Sequence, residues 1–162
     1  MIIGVISDTH IPDAASQIPE AILKAFRHVD MIAHAGDLIN LEAVEQLKKV
    51  CPKVIAVAGN MDKQDVCSVY PAKQIFQVGV FKIGLMHGCG APANLINVLQ
   101  DAFKFDAPDL IIFGHSHRPF NERVGGILFF NPGSATDKIT AEYNSYGLIE
   151  ITDQIKAQVI RI

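Results

Sequence analysis

Ile2-Ile3-Gly4-Val5-Ile6-Ser7-Asp8-Thr9-His10 is an apolar run that stops at a carboxylate and an imidazole. Continuous apolarity predicts a strand over Ile2 to Ile6 that is covered on both faces. The run lacks the basic segment and cleavage site of a signal peptide. Its pattern of burial followed by a polar stop repeats outward along the chain. Pro19 opens a helix with Ile22, Leu23 and Phe26 at helical spacing. Met31 to Ala33 is the next strand, stopped by Gly36-Asp37. Asn40 caps a helix with Leu41, Val44 and Leu47 on one face, and Lys53 to Ala58 is a third strand, stopped by Gly59-Asn60. Strand, helix, strand, helix, strand predicts right-handed crossovers and a parallel sheet.

The second half changes character. Gln74 to Val78 and Phe81 to Met86 are separated only by Gly79-Val80, which is hairpin spacing. A helix follows over Ala93 to Phe105. Leu110 to Phe113 ends at Gly114, Gly126 to Phe130 ends at Asn131-Pro132-Gly133, and Tyr146 to Ile151 faces Ile155 to Ile160 across Asp153-Gln154. These strands are too many for one parallel sheet of this length, so the expected fold is α/β with two mixed β-sheets face to face and helices outside.

At 162 residues and 49% hydrophobic, the chain is expected to form a single domain over residues 1–162. A net charge of −3 gives no general attraction to long nucleic acid or to an anionic membrane. No stretch approaches the roughly 18 apolar residues of a membrane-spanning helix. Three cysteines, Cys51, Cys67 and Cys89, cannot all pair within the chain and fit a reducing cytoplasm. Self-association into a homo-oligomer is left open.

The chemistry lies at the strand ends, where Asp8, His10, Asp37, Asn60, His87, His115 and His117 all fall. Taken singly, Asp-x-His is ordinary strand-end polarity, Gly-Asp and Gly-Asn are turn dipeptides, and His87 alone reads as a core histidine. Independent turns, however, have no reason to supply two Asp, one Asn and four His in this arrangement. If the backbone stays extended through Asp8 and His10, both side chains face one ion. A turn through Gly114-His115-Ser116-His117 could direct its two imidazoles to different ions. Asp37 has two oxygens and can bridge cations about 3.5–4 Å apart, while Asn60 offers a neutral oxygen that restrains the negative charge. An N/O set without thiolate suits manganese, iron, zinc or cobalt.

These motifs resemble the pattern of the calcineurin-like metallophosphoesterase superfamily, and over nearly the whole chain. The segments Phe81 to Gly88 and Asn131 to Ser134 are similar to its small prokaryotic phosphodiesterase branch. The resemblance implies a four-layer αββα sandwich and two divalent ions per chain, manganese first, with iron, zinc, cobalt or nickel as alternatives. Asp8, His10, Asp37 and His117 would hold one ion, and Asp37, Asn60, His87 and His115 the other, with Asp37, Asn60 and His87 also catalytic. It implies in-line hydrolysis of a small phosphodiester by metal-activated hydroxide. No Gly-x-Ser-x-Gly elbow, Walker loop or cysteine phosphatase loop offers a protein nucleophile.

One position departs from the pattern. Met61 follows Gly59-Asn60 where the superfamily commonly has a proton-donating histidine, and the small branch often lacks it too. Met61 reads as packing beside the substrate and Asp62 as the cap of the following turn. His34 is either a partner near the bridging carboxylate or a buried strand histidine, and His28 answers a helix dipole. Cys89 either lines the pocket or is an inert buried thiol. Arg118 either meets a phosphate or coats the surface. Asn131 to Ser134 reads as a tight turn. The rival functions are a non-catalytic protein-binding scaffold resembling the retromer subunit of this fold, and a phosphomonoesterase or protein phosphatase. The missing acid weakens the latter.

Overall fold

The computed structural model describes residues 1–162. Strand β1 (Ile2–Ile6) is followed by α1 (Glu20–Phe26), β2 (Met31–His34), α2 (Glu42–Lys48), β3 (Val54–Ala56) and α3 (Gln64–Val69). The hairpin β4 (Lys73–Val78) and β5 (Phe81–Met86) comes next, then α4 (Leu95–Phe103) and β6 (Leu110–Ile112). The chain ends with β7 (Phe120–Val124), β8 (Ile127–Asn131), β9 (Ser145–Ile151) and β10 (Ile155–Arg161). One sheet runs β10-β9-β1-β2-β3 and the other β4-β5-β6-β8-β7. β1, β2 and β3 are parallel, as are β5, β6 and β8, whereas the outer pairs of the second sheet are antiparallel.

The side-chain alternation of each strand divides the core. Ile3, Val5, Ala33, Leu85, Ile112 and Phe130 meet between the sheets. Ile6 and Ile32 point the other way, onto Ile22 and Phe26 of α1 and Val44 and Leu47 of α2. Ile111 and Phe129 likewise leave the inter-sheet layer to pack on Leu95, Leu99 and Phe103 of α4. This is the expected αββα arrangement, and both-face burial is why the central strands read as unbroken apolar runs.

Several boundaries and two elements differ from the sequence reading. Asn40 accepts a bond from the Glu42 amide (2.9 Å), one residue ahead of the structural N-cap Leu41. β3 is shorter than expected, because beyond Ala56 the Ala58 amide turns to the carbonyl of Pro71 (2.9 Å). The fourth helix begins after a 3-10 turn, Pro92–Asn94, and ends before Phe105, which is exposed. β7 and α3 are unanticipated: β7 is a polar edge strand and α3 a helix of under two turns, so neither has enough apolar periodicity to be read. All three cysteines are free, with Cys89 exposed. No helix is long and apolar enough to cross a membrane.

Candidate metal centre

The parallel strands of both sheets release their C-terminal loops toward one another. Backbone bonds lock the loops together: the Asp8 amide to Gly36 O (3.0 Å), His10 to Asp37 O (3.0 Å) and Gly114 to His87 O (3.1 Å). The expected extended path through Asp8 and His10 is not what the chain adopts. Both are left-handed, with φ of 53° and 43°, as are Asp37 (57°), His115 (69°) and His117 (56°). Each such non-glycine conformation costs about 1–3 kcal/mol and persists only where surroundings over-determine it. At φ 43° a glycine is relaxed and an alanine is not. Metal-free His10→Gly is therefore expected to be about 1 kcal/mol more stable than His10→Ala, the reverse of the usual order, by paired urea titrations.

The turn expected at Asn131 to Ser134 is a buried brace. Asn131 Nδ2 donates to Gly114 O (2.7 Å), and Ser134 Oγ donates to Asp8 O (2.7 Å). Thr136 Oγ1 donates to Thr9 O (2.7 Å). Asp62 does not cap the turn that follows, where α3 starts without a side-chain cap. Its carboxylate accepts the amides of Asp37 (3.1 Å), Ile39 (2.6 Å) and Gly59 (2.7 Å), joining the loops that carry Asp37 and Asn60. Burial pushes the Asp62 carboxyl upward, against these amides. Two motif glycines answer a steric demand. A Cβ on Gly114 would lie 2.8 Å from Asp8 Oδ2, and one on Gly59 would lie 2.9 Å from Asp37 Cγ.

Five of the seven predicted side chains converge. Ligand atoms of Asp8, His10 and His117 lie within 4.8 Å of one another, as do those of Asp8, Asp37 and His87. Asp8 is common to both groups, while Asp37 Oδ2 lies 3.3 Å from His87 Nε2 and 3.8 Å from His10 Nε2. Both carboxylates thus face the space between the groups. Asn60 and His115 sit at the edge and bond to each other, Oδ1 to Nδ1 at 2.8 Å, and the other nitrogen of His115 faces Gly90 O at 2.8 Å.

The imidazole orientations suit a cation. His87 Nδ1 is 2.7 Å from Ala35 O, so it carries the proton and donates. Its Nε2 is buried without a hydrogen-bond partner, 3.3 Å from Asp37 Oδ2. His117 Nδ1 donates to Asp137 Oδ2 (2.5 Å), which turns Nε2 toward Asp8 Oδ1 and His10 Nε2, each 3.2 Å away. Neutral imidazole nitrogens and carboxylate oxygens facing one another present lone pairs to lone pairs, an arrangement that either a cation or a proton relieves. Without a metal the proton does so. Contact with Asp8, and then with Asp137, raises His117 to about 9 in spite of its burial. Burial pulls His87 down, but the facing Asp37 carboxylate and the charge of Asp8 outweigh it and raise it. Asp37 is correspondingly lowered: its burial is overcome by His87, the Met61 amide and His10.

His34 is a strand histidine that holds the turn rather than a partner of the Asp37 carboxylate. Its Nδ1 accepts the Gly36 amide (3.2 Å) and its Nε2 faces Thr9 Oγ1 (3.0 Å). Burial depresses it to about 3. These two histidines set opposite pH limits on the metal-free protein. His117, raised from 6.5 to about 9, stabilises the fold fully below pH 6.5 and loses that contribution as pH rises through 9. For His34, lowered from 6.5 to about 3, the unfolded chain takes the proton first, and stability falls as pH drops from 6.5 toward 3. Melting temperature in chelator should fall on both sides of neutrality. Saturating manganese should flatten the alkaline limb, because metal replaces the His117 proton.

Asp137, which the sequence does not single out, stands directly behind His117. Its carboxylate is held below the usual range: partial burial is overcome by Thr140 Oγ1, by His117 and by the amides of Ile139 and Thr140. Nothing in Ala135-Thr136-Asp137-Lys138 distinguishes it from a solvent-facing loop acid. Asp137→Asn should weaken metal binding by roughly 10–100-fold, as loss of a carboxylate behind a ligating histidine does, with little change in fold. Calorimetric titration with manganese measures it.

An αββα sandwich with an Asp/His cluster at the loops of both sheets defines a class of metal-dependent phosphoesterases. Residues 1–154 match the calcineurin-like phosphoesterase superfamily domain. The chain is 38% identical over 161 residues to a "Probable metallophosphoesterase" of Methanothermobacter thermautotrophicus, covering 99% of this chain and 92% of that protein. It is similar in structure to Vps29 from Entamoeba histolytica complexed with zinc: TM-score 0.77, 26% identity, 99% of each chain covered. A novel archaeal phosphodiesterase shares the fold, with TM-score 0.78 at 23% identity over 100% of both chains. The chain belongs to the calcineurin-like phosphoesterase superfamily.

Proposed function

We propose that residues 1–162 form one unit that hydrolyses small phosphodiesters at a dinuclear metal centre in the cytoplasm. The observation that carries this reading is His87 Nε2, a buried nitrogen with no hydrogen-bond partner, aimed at Asp37 while Ala35 O holds its other nitrogen. A core histidine would not be aimed at two buried carboxylates in this way, because the facing lone pairs are relieved only by a proton or a cation, and an unmet buried acceptor costs about 1–3 kcal/mol. Asp8, His10, Asp37 and His117 would hold one ion. Asp37, Asn60, His87 and His115 would hold the other, Asn60 and His115 exchanging their mutual bond for the cation. When bound, two divalent ions supply Lewis acidity to the phosphoryl oxygens and acidify coordinated water. Manganese is the first choice, with iron, zinc, cobalt and nickel as alternatives; zinc draws support from the Entamoeba Vps29 complex.

The chain's own part is orientation and charge. The Ala35 carbonyl and Asp137 fix the tautomers of His87 and His117, so that each presents a lone pair inward. Asp8 and Asp37 supply the negative charge that would retain two cations. Met61, half-exposed beside His10 and His117, brings no titratable proton to the departing oxygen, which favours diesters with good leaving groups. The test is metal content and hydrolysis of a panel of diesters and monoesters, with each metal and with chelator. Binding that never exceeds one ion, or full activity after rigorous chelation, sinks the dinuclear mechanism. Preference for monoesters reverses the substrate class. The likeness to Vps29 favours a second reading, a protein-binding scaffold, which absence of hydrolysis at full occupancy of every metal would support.

A further inference from the structure

Beside the centre opens a cleft of about 320 Å³ whose wall includes His10 and His117. Its remaining lining is unusual for a protein that handles phosphate. Met61, Ile39, Ile139 and Ala14 contribute hydrocarbon, Asp13 and Asp137 contribute negative charge, and no lysine or arginine takes part. Met61 is 55% and Ile139 93% exposed, so two large apolar side chains stand uncovered at the mouth of the same cleft. The neighbouring cleft shares Ile139 and Thr140 and does contain Arg118, but neither His10 nor His117 lines it. The Asp137 carboxylate is engaged by His117 and Thr140, and its bonds to the amides of Ile139, Thr140 and Ala141 hold the turn that presents Ile139. The apolar wall is therefore built on the same carboxylate that orients a proposed ligand.

We infer that this cleft receives an uncharged, predominantly apolar organic substituent of the phosphoester, of about the size of an aryl ring, and rejects substituents carrying further negative charge. This rests on the phosphodiesterase reading and names the substrate class within it. A phosphorus centre held at His10 and His117 has its substituents within reach of the cleft. Hydrocarbon placed against Met61 and Ile139 leaves water, whereas a carboxylate or a second phosphate there would face Asp13 with no lysine or arginine in the lining to pair with it.

The experiment uses three non-hydrolysable probes, methylphosphonate, phenylphosphonate and 4-carboxyphenylphosphonate, titrated calorimetrically into manganese-loaded protein. Phenylphosphonate should bind on the order of tenfold more tightly than methylphosphonate, the gain from covering between one and two methylene-sized increments, at about fourfold each, on so open a wall. The added carboxylate should cancel most of that gain. Ile139→Ala should shrink the phenyl advantage, and Ile139→Lys should make the carboxyphenyl probe the preferred one by roughly fivefold. Because Ile139 is almost wholly exposed, neither substitution touches the core, and equal metal content and melting temperature confirm it. Equal, measurable affinity for all three probes, or a probe order unmoved by Ile139→Lys, overturns the cleft assignment and leaves the phosphoesterase reading standing. No binding of any phosphonate by fully loaded protein that also fails to hydrolyse diesters overturns both.

Discussion

Asp37→Ala is expected to reduce metal binding at both positions and to lower kcat/KM by more than the roughly 10–100-fold that loss of a supporting carboxylate costs. The reason is geometric. Asp37 Oδ2 faces His87 at 3.3 Å and His10 at 3.8 Å, so the same oxygen addresses both groups of ligand atoms. Its second oxygen, Oδ1, accepts the Met61 amide at 2.8 Å and so holds the loop that carries Asn60. Asn60→Ala removes only an edge group bonded to His115 and should weaken one ion while sparing the other. Stoichiometry by elemental analysis, with rates measured at saturating metal, separates the two. If Asp37→Ala kept both ions while Asn60→Ala lost both, the shared carboxylate would have been misassigned. Asp8 also belongs to both groups, which makes Asp8→Ala the informative control: comparable loss there would mean that two carboxylates, rather than one, link the ions.

Met61→His should accelerate the hydrolysis of diesters with poor leaving groups by up to about 10²–10⁴-fold, the contribution of a positioned general acid. Met61 stands at the cleft beside His10 and His117, with its side chain half in solvent, so an imidazole fits without displacing core atoms. In the wild type, rate should depend steeply on leaving-group pKa, fast for aryl diesters and slow for alkyl ones. In the variant the slope should flatten, and monoesterase activity should rise relative to diesterase. Metal content must first be shown equal in the two proteins. A wild-type rate indifferent to the leaving group, together with an unchanged slope in well-folded Met61→His, would remove the missing acid as the cause of diester preference.

Much of this centre was legible because burial and its interruption are local properties. Asp8, Asp37, His87 and His117 follow apolar strands that must be covered on both faces, and a polar residue at such a strand's end needs polar company that the apolar core does not supply. Order along the chain therefore carried their convergence. The polar edge strand β7 and the short α3 were illegible for the complementary reason, since neither buries a continuous apolar face. Asp62 was visible as a residue but not as a clamp, because its partners at Asp37 and Ile39 are more than 20 residues away.

Sequence alone determined the class of fold, the candidate donor atoms and the absence of a proton donor at Met61, because apolar periodicity, strand stops and side-chain chemistry are written residue by residue. Tertiary structure decided how the donors are aimed. Left-handed φ at Asp8, His10, Asp37, His115 and His117 is held by bonds from neighbouring loops, and the mild tolerance of Asp and His for that region does not by itself select it. The tautomer of His117 depends on Asp137, 20 residues further on, and that of His87 on Ala35 O, 52 residues back. A ligand's identity is a property of its side chain; its direction is a property of whatever the fold packs behind it.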